Sequence, residues 1–356
     1  MLSCFYPGPS KIYPEVSQYM QEAVGKGILS LNHRSTEFMH LCAETIAICK
    51  KKLAIPADYS LFFASSATEC WEIIAQSFLE SSDKVYHCCQ GAFGEKWLNY
   101  NQKLCAYNHI KAEVQAYQSF EATKDKNPTL LCFTPSETSN GMQFSMAGLQ
   151  RLRLLFPDAF FAHDVTSCLG GITLMWEVGD IWFASVQKCL GLPAGLALCI
   201  MSPRAVARAY KINERTHYNS LINNLDNISK FQTPYTPNVL GIYLLYKVML
   251  QVPPISEIDA IICKRAEDWY KFFEQFEDYT PLASVSLRSS TIICISGTEE
   301  NICFAKEKMK EQNIILGNGY SRWENNTFRI ANFPAISEEE IALFKDEFMK
   351  IAKIKA

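Results

Sequence analysis

The sequence predicts an α/β protein: a mostly parallel sheet covered on both faces, followed by a smaller α/β unit. Three observations lead there. Short apolar runs recur at "LFFA" (61–64), "KVYHCC" (84–89), "TLLCF" (129–133), "AFFAHD" (159–164), "IWFAS" (181–185) and "LALCIM" (196–201). Helical periodicity fills several gaps between them, as in "ECWEIIAQSFLE" (69–80) and "SMAGLQRLRLLF" (145–156). After about Thr233 the texture changes, and "TPYTPNVLGIYLLYKVMLQ" runs from prolines into a long apolar helix.

Each apolar run is too short for a core helix and reads as a strand buried on both sides. Strand, helix, strand at this spacing favours parallel pairing. Downstream, "SEIDAIICKRAEDWYKFFEQF" (256–276) is an amphipathic helix with Ser256 as its expected N-cap. Strand-like "VSLRSSTIICIS", a helix near "ICFAKEKMKEQ", strand-like "TFRIAN" and a last helix "SEEEIALFKDEFMKIAKI" complete the order. Ser337 is the expected N-cap of that helix, with acids in its first turn. This smaller unit runs from about residue 250 to the end.

Composition narrows the function classes. With 356 residues and 48% hydrophobic residues, the chain can bury a sizeable core. The net charge of −3 is spread along the chain, and no basic block suggests a nucleic-acid partner. No signal-peptide pattern opens the sequence, and the longest apolar run is too short for a bilayer, so no membrane partner is expected. The 14 cysteines sit mostly inside apolar runs and lack metal-ligand spacing. They read as core residues in a reducing cytoplasm, with no metal site.

Several strand ends carry residues suited to chemistry. "ASVQKCLGLPAG" delivers Lys188 from an apolar strand into a loop of glycine and proline. A lysine there either snorkels to solvent or serves as an amine of lowered proton affinity. Asp164 ends "AFFAHD", where a buried carboxylate needs a cationic partner or capping donors. "ASSATECWEII" passes from a strand through Ser65, Ser66, Ala67 and Thr68 into a helix. That turn suits a phosphate cradle and an ordinary cap equally. In "QGAFGEKW", Phe93 is either a plate for a flat ring or a core aromatic. Strand alternation points His163 away from Asp164, giving it a structural role.

Together the lysine, aspartate, cradle and aromatic plate suit a flat, phosphorylated pyridine aldehyde. The segments "PGPSKIYPEV", "NHRSTEF", "GAFGEKW", "PSETSNG", "HDVTSCLGG", "VQKCLGLPAGLAL", "FQTPYTP" and "TFRIAN" occur in order over nearly the whole chain. In these the sequence resembles the fold-type-I, pyridoxal-phosphate-dependent aminotransferases of class V.

The resemblance implies a large cofactor-binding domain over 15–249 with a mostly parallel seven-stranded sheet. A small domain over 250–356 would also take up residues 1–14. Lys188 would bind the cofactor aldehyde and shuttle the substrate proton, and Asp164 would keep the pyridine nitrogen protonated. Phe93 would stack on the ring, where many relatives carry tryptophan. Thr138 would donate to the ring oxygen, and Ser66, Ala67, Thr68 and Gln187 would hold the phosphate. Thr233 would reach that phosphate from the partner subunit of a homodimer with shared active sites. Arg329 would clamp the substrate α-carboxylate.

The partners implied are a small amino acid and a keto acid. His33 and Arg34 resemble a pair that meets the substrate phosphate in the phosphoserine group. That group's second His-Arg pair is replaced here by "GNGYSRWENNTFR", where Arg322 is the candidate substitute. The expectation is a phosphoserine:2-oxoglutarate aminotransferase of serine biosynthesis. A serine–pyruvate or alanine–glyoxylate type is the alternative, and a cysteine desulfurase-like lyase comes third. Phe93 stands where those lyases place a histidine.

Overall fold

The apolar runs pair as strands of one large sheet. The computed structural model describes residues 2–107, 112–117 and 127–352. The large sheet contains β2 (Ser60–Ala64), β3 (Lys84–Cys88), β4 (Glu113–Ala116), β5 (Leu130–Phe133), β6 (Phe160–Asp164), β7 (Ile181–Ser185) and β8 (Ala197–Met201). Its seven strands lie in the order β2-β8-β7-β6-β5-β3-β4. The β4, β3, β5, β6 and β7 ladders are parallel; β8 runs antiparallel between β7 and β2. Every residue of β5, β7 and β8 is buried, as expected when helices cover both faces of a sheet.

A second sheet is built from β1 (Ser3–Phe5), β9 (Thr280–Pro281), β10 (Ile292–Ser296), β11 (Ile314–Asn318) and β12 (Thr327–Ala331). Its order is β1-β11-β12-β10-β9, so the N-terminal strand is an edge of the C-terminal sheet. Phe5 lies in that sheet's core with Trp269, Phe273, Phe328 and Phe344. The helix Ile255–Glu274 joins the two cores. Ile255, Ile258 and Ile262 pack with the large sheet, and Ala266, Trp269 and Phe273 with the small one.

Element ends follow local chemistry. Ser66 caps the helix Ala67–Ser77, its Oγ accepting from Glu69 N, and Ser145 caps Met146–Leu155 in the same way. Ser337 forms a full capping box with Glu340 at the helix Glu338–Met349. That helix ends before Lys350; residues 353 and 354 of the longer expected helix lie outside the described residues. Ser256 is not an N-cap. Its helix starts earlier, after Pro254, because the apolar Ile255 is drawn into the core as the first helical residue. Residues 285–287 form a 3-10 turn and only Ile292–Ser296 of that stretch is a strand.

His163 is stacked between Trp182 (4.1 Å) and Phe133 (5.1 Å), and burial pushes its imidazole down to about 3. It is a neutral packing residue. Among the described residues no group of three His, Cys, Asp or Glu could hold a metal ion.

Candidate active site

Buried strands can end in charged residues only where other polar groups receive them. The ends of β2, β6 and β7, the loops behind β1, β3, β5 and β11, and Arg329 of β12 meet in an open cavity of about 220 Å³. Lys188, Asp164, Ala67, Thr68, Phe93, Thr138, Gln187 and Arg329 all line it.

Lys188 is buried, and its Nζ donates to Thr138 Oγ1 at 2.7 Å and Ser167 Oγ at 2.9 Å. Burial pushes its ammonium down to about 8, against the attraction of Asp164 and Glu137. Desolvation disfavours the charged amine, so Lys188 is an available base and nucleophile in mildly alkaline water. Gly8 covers the lysine stem. Its φ is +146°, and a Cβ there would fall 2.9 Å from Lys188 Cε. A side chain at position 8 would therefore be strained and would press on the lysine.

Asp164 is buried at the end of β6. Trp71 Nε1 donates to its Oδ2 at 3.0 Å, and Thr166 N to its Oδ1 at 3.1 Å. Burial raises its carboxyl, and the donors with Lys188 counteract that. Phe93 lies 5.3 Å from Lys188 Nζ at its ring centroid and stacks at 4.9 Å on Tyr320. Arg329, on β12, is buried and crosses from the small sheet to the large one. Its Nη1 donates to Thr138 O at 2.9 Å and its Nε to Asn318 O at 2.6 Å.

The phosphate-cradle residues are placed unequally. Ala67 N donates to Ser185 Oγ at 2.7 Å, and Thr68 faces the cavity. Ser66 is spent on its helix cap and does not line the cavity. Gln187 lines it with a buried carboxamide oxygen that has no hydrogen-bond partner, so its amide can turn N–H groups toward an anion.

Besides Ser66, four expected residues lie away from this cavity within one chain. Arg34 Nη1 donates to Asn227 Oδ1 at 2.9 Å and Gln232 Oε1 at 2.6 Å. Gln232 adjoins Thr233, whose hydroxyl donates to Tyr235 O, so His33, Arg34 and Thr233 belong to one neighbourhood. Desolvation, then Arg34, lowers the proton affinity of His33. Arg322 turns outward, 3.7 Å from Glu95 and over the Trp323 ring, and does not line the cavity.

Sequence reasoning missed Tyr6, Trp71, Lys96, Ser136, Ser167, Ser185 and Tyr320, which also line the cavity. Of these, Ser167 stood in view in "HDVTSCLGG", three residues after Asp164. Lys96 is exposed at the cavity edge and makes no hydrogen bond or ion pair with the described residues.

A buried amine, a buried carboxylate, an aromatic plate and an unpaired carboxamide beside a helix start fit pyridoxal phosphate. Fold and site thus define a fold-type-I, pyridoxal-phosphate-dependent aminotransferase. The family profile "Aminotransferase class-V" matches residues 4–322, and the chain belongs to that family. It is similar to the phosphoserine aminotransferase of Rhodococcus opacus, at 24% identity over 94% of this chain and 91% of the relative. Among solved structures, the phosphoserine aminotransferase of Cytophaga hutchinsonii superposes with a TM-score of 0.89 at 28% identity. That match covers 98% of this chain and 99% of the other. An alanine–glyoxylate aminotransferase from Nostoc shares the fold, with a TM-score of 0.80 at 17% identity, covering 98% and 95%.

The buried amine carries a pH signature. Protein freed of cofactor should recapture pyridoxal phosphate faster as pH rises through about 8, because Lys188 is neutral above that value. A stopped-flow pH series reads it, and a midpoint near that of an ordinary exposed lysine contradicts the desolvated site.

Proposed function

We propose that this enzyme transfers the amino group of phosphoserine to and from 2-oxoglutarate, as in serine biosynthesis. The observation that carries the reading is the cavity's cation set. Arg329 and Lys96 line it beside Lys188, two cations beyond the reacting amine for a substrate with two anionic groups. The resemblance to phosphoserine aminotransferases over most of the chain supports it.

Each residue then has a task. Arg329 offers its guanidinium to the substrate α-carboxylate and orients the Cα–H bond toward Lys188. Lys188 Nζ would hold the cofactor covalently at rest and, once released, would carry the proton between Cα and the cofactor's aldehyde carbon. The hydroxyls of Thr138 and Ser167 hold that nitrogen in place. Asp164, its orientation fixed by Trp71 and Thr166, would keep a proton on the pyridine nitrogen. Phe93 would stack on the ring. Thr138 also serves the ring oxygen, and Ala67, Thr68, Gln187 and the helix capped by Ser66 serve the phosphate. When bound, pyridoxal phosphate supplies the electron sink for the carbanion at Cα.

His33, Arg34 and Thr233 complete this assignment in a homodimer, where each chain lends them to its partner's cavity. Arg34 and His33 would meet the substrate phosphate, and Thr233 the cofactor phosphate. Residues 15–249 would form the cofactor-binding domain, and 250–356 with 1–14 the small domain. A cytoplasmic setting fits cysteines that pack as apolar side chains.

One observation favours a second reading. Arg322 pairs with Glu95 outside the cavity, which leaves the missing second phosphate contact unreplaced by that residue. An enzyme using serine or alanine with pyruvate or glyoxylate needs no such contact.

Steady-state kinetics separate the two. Phosphoserine should exceed alanine in kcat/KM by about a hundredfold or more, and Lys96→Ala should raise the phosphoserine KM about tenfold while leaving that for alanine unchanged. Equal use of both donors would support the second reading. Subunit sharing has its own check: Lys188→Ala and Arg34→Ala proteins, each defective alone, should regain about a quarter of wild-type phosphoserine activity when mixed and allowed to exchange subunits. Strictly additive residual activities would contradict shared sites.

A further inference from the structure

The helix Ala92–Ala106, which carries Phe93, starts without a side-chain cap of its own, because its N-cap is Gly91. Its leading amides are met from another segment, the loop 135–141. Ala92 N donates to Ser139 Oγ at 3.0 Å, Phe93 N to Glu137 Oε1 at 3.4 Å, and Gly94 N to Glu137 Oε2 at 3.2 Å. Glu137 Oε1 also accepts from Ser139 N at 3.0 Å and Ser139 Oγ at 2.7 Å.

The carboxylate is fully buried, and no cation of the described residues pairs with it. Helix amides and the helix dipole favour a negative charge at such a place. The fit is close: a Cβ on Gly91 would fall 2.5 Å from Glu137 Cγ. Asn140 Nδ2 fastens the same loop to Gln90 O at 2.7 Å. The next residue, Thr138, gives its hydroxyl to Lys188 and its carbonyl to Arg329.

We infer that Glu137 is a positioning residue of the active site, which locks the Phe93 helix to the Thr138 loop and supplies a fixed negative charge behind Lys188. Through Phe93 it sets the stacking plate. Through Thr138 it sets the amine and the guanidinium. The charged and titratable groups around Lys188 are Asp164 from β6, Glu137 from the loop, Arg329 from β12, and the thiols of Cys168 and Cys189, with Lys96, Tyr6 and Tyr320 on the same cavity wall. Glu137 and Asp164 both favour the protonated amine, and Arg329 opposes it.

The inference rests on the pyridoxal-phosphate chemistry, so wild-type holoenzyme comes first. Absence of a visible band that borohydride bleaches would overturn that chemistry itself. With the band present, the pH midpoint of Glu137→Gln holoenzyme should lie lower by about half a unit or more, since a negative charge near Lys188 Nζ is lost. Its kcat should fall about tenfold with donor KM within about threefold of wild type. Glu137→Asp keeps the charge and should restore the midpoint. A wild-type midpoint and kcat in Glu137→Gln, or an equal downward shift in Glu137→Asp, would overturn the inference. If Glu137→Gln does not fold, Glu137→Asp decides alone: a wild-type midpoint supports it and a shifted one overturns it.

Discussion

The site depends on one constraint, the burial of the Lys188 amine. A lysine ammonium in water is strongly hydrated, and removing that water disfavours the charge unless acceptors replace it. Here two neutral hydroxyls, of Thr138 and Ser167, replace part of it. The amine is thereby held where it gives up its proton near pH 8. Other features follow from keeping this amine in place. Gly8 leaves room for the stem, and Phe93 lies beside the nitrogen.

The two sheets meet at the same point. Arg329 belongs to β12, opposite Cys294 on β10, yet its guanidinium ends on the carbonyl of Thr138. The residue that binds the amine thus also binds the arginine. Tyr320, next to the small sheet, stacks on Phe93 from the helix behind β3. Relative placement of the amine and the guanidinium is therefore set by a loop touching both sheets. Orientation of a bound amino acid requires that pairing.

Much of the fold was legible because burial writes itself into composition. Continuous apolar runs gave β2, β3, β5, β6, β7 and β8, whose residues are nearly all buried. The strand β4 was invisible, since Glu113–Ala116 is a half-exposed edge without an apolar run. Lys188 and Asp164 stood out as ionisable residues ending apolar strands. Trp71, Ser185 and Tyr320 did not, because their roles arise from tertiary contacts between distant segments. Glu137, fully buried, did not stand out either, because the amides that receive it belong to a distant helix start. Arg322 drew attention by its sequence position, but a nearby carboxylate and indole hold it at the surface. The separation of His33 and Arg34 from the cavity of their own chain has no sequence signal, whereas the family resemblance implies it for Thr233.

The central claim is that Lys188 is the residue joined to the cofactor. Borohydride reduction of the holoenzyme makes that bond permanent, and peptide mass spectrometry then locates it. The account predicts a single phosphopyridoxyl group on the peptide containing Lys188. The same group found at another lysine, with the Lys188 peptide unmodified, would contradict it.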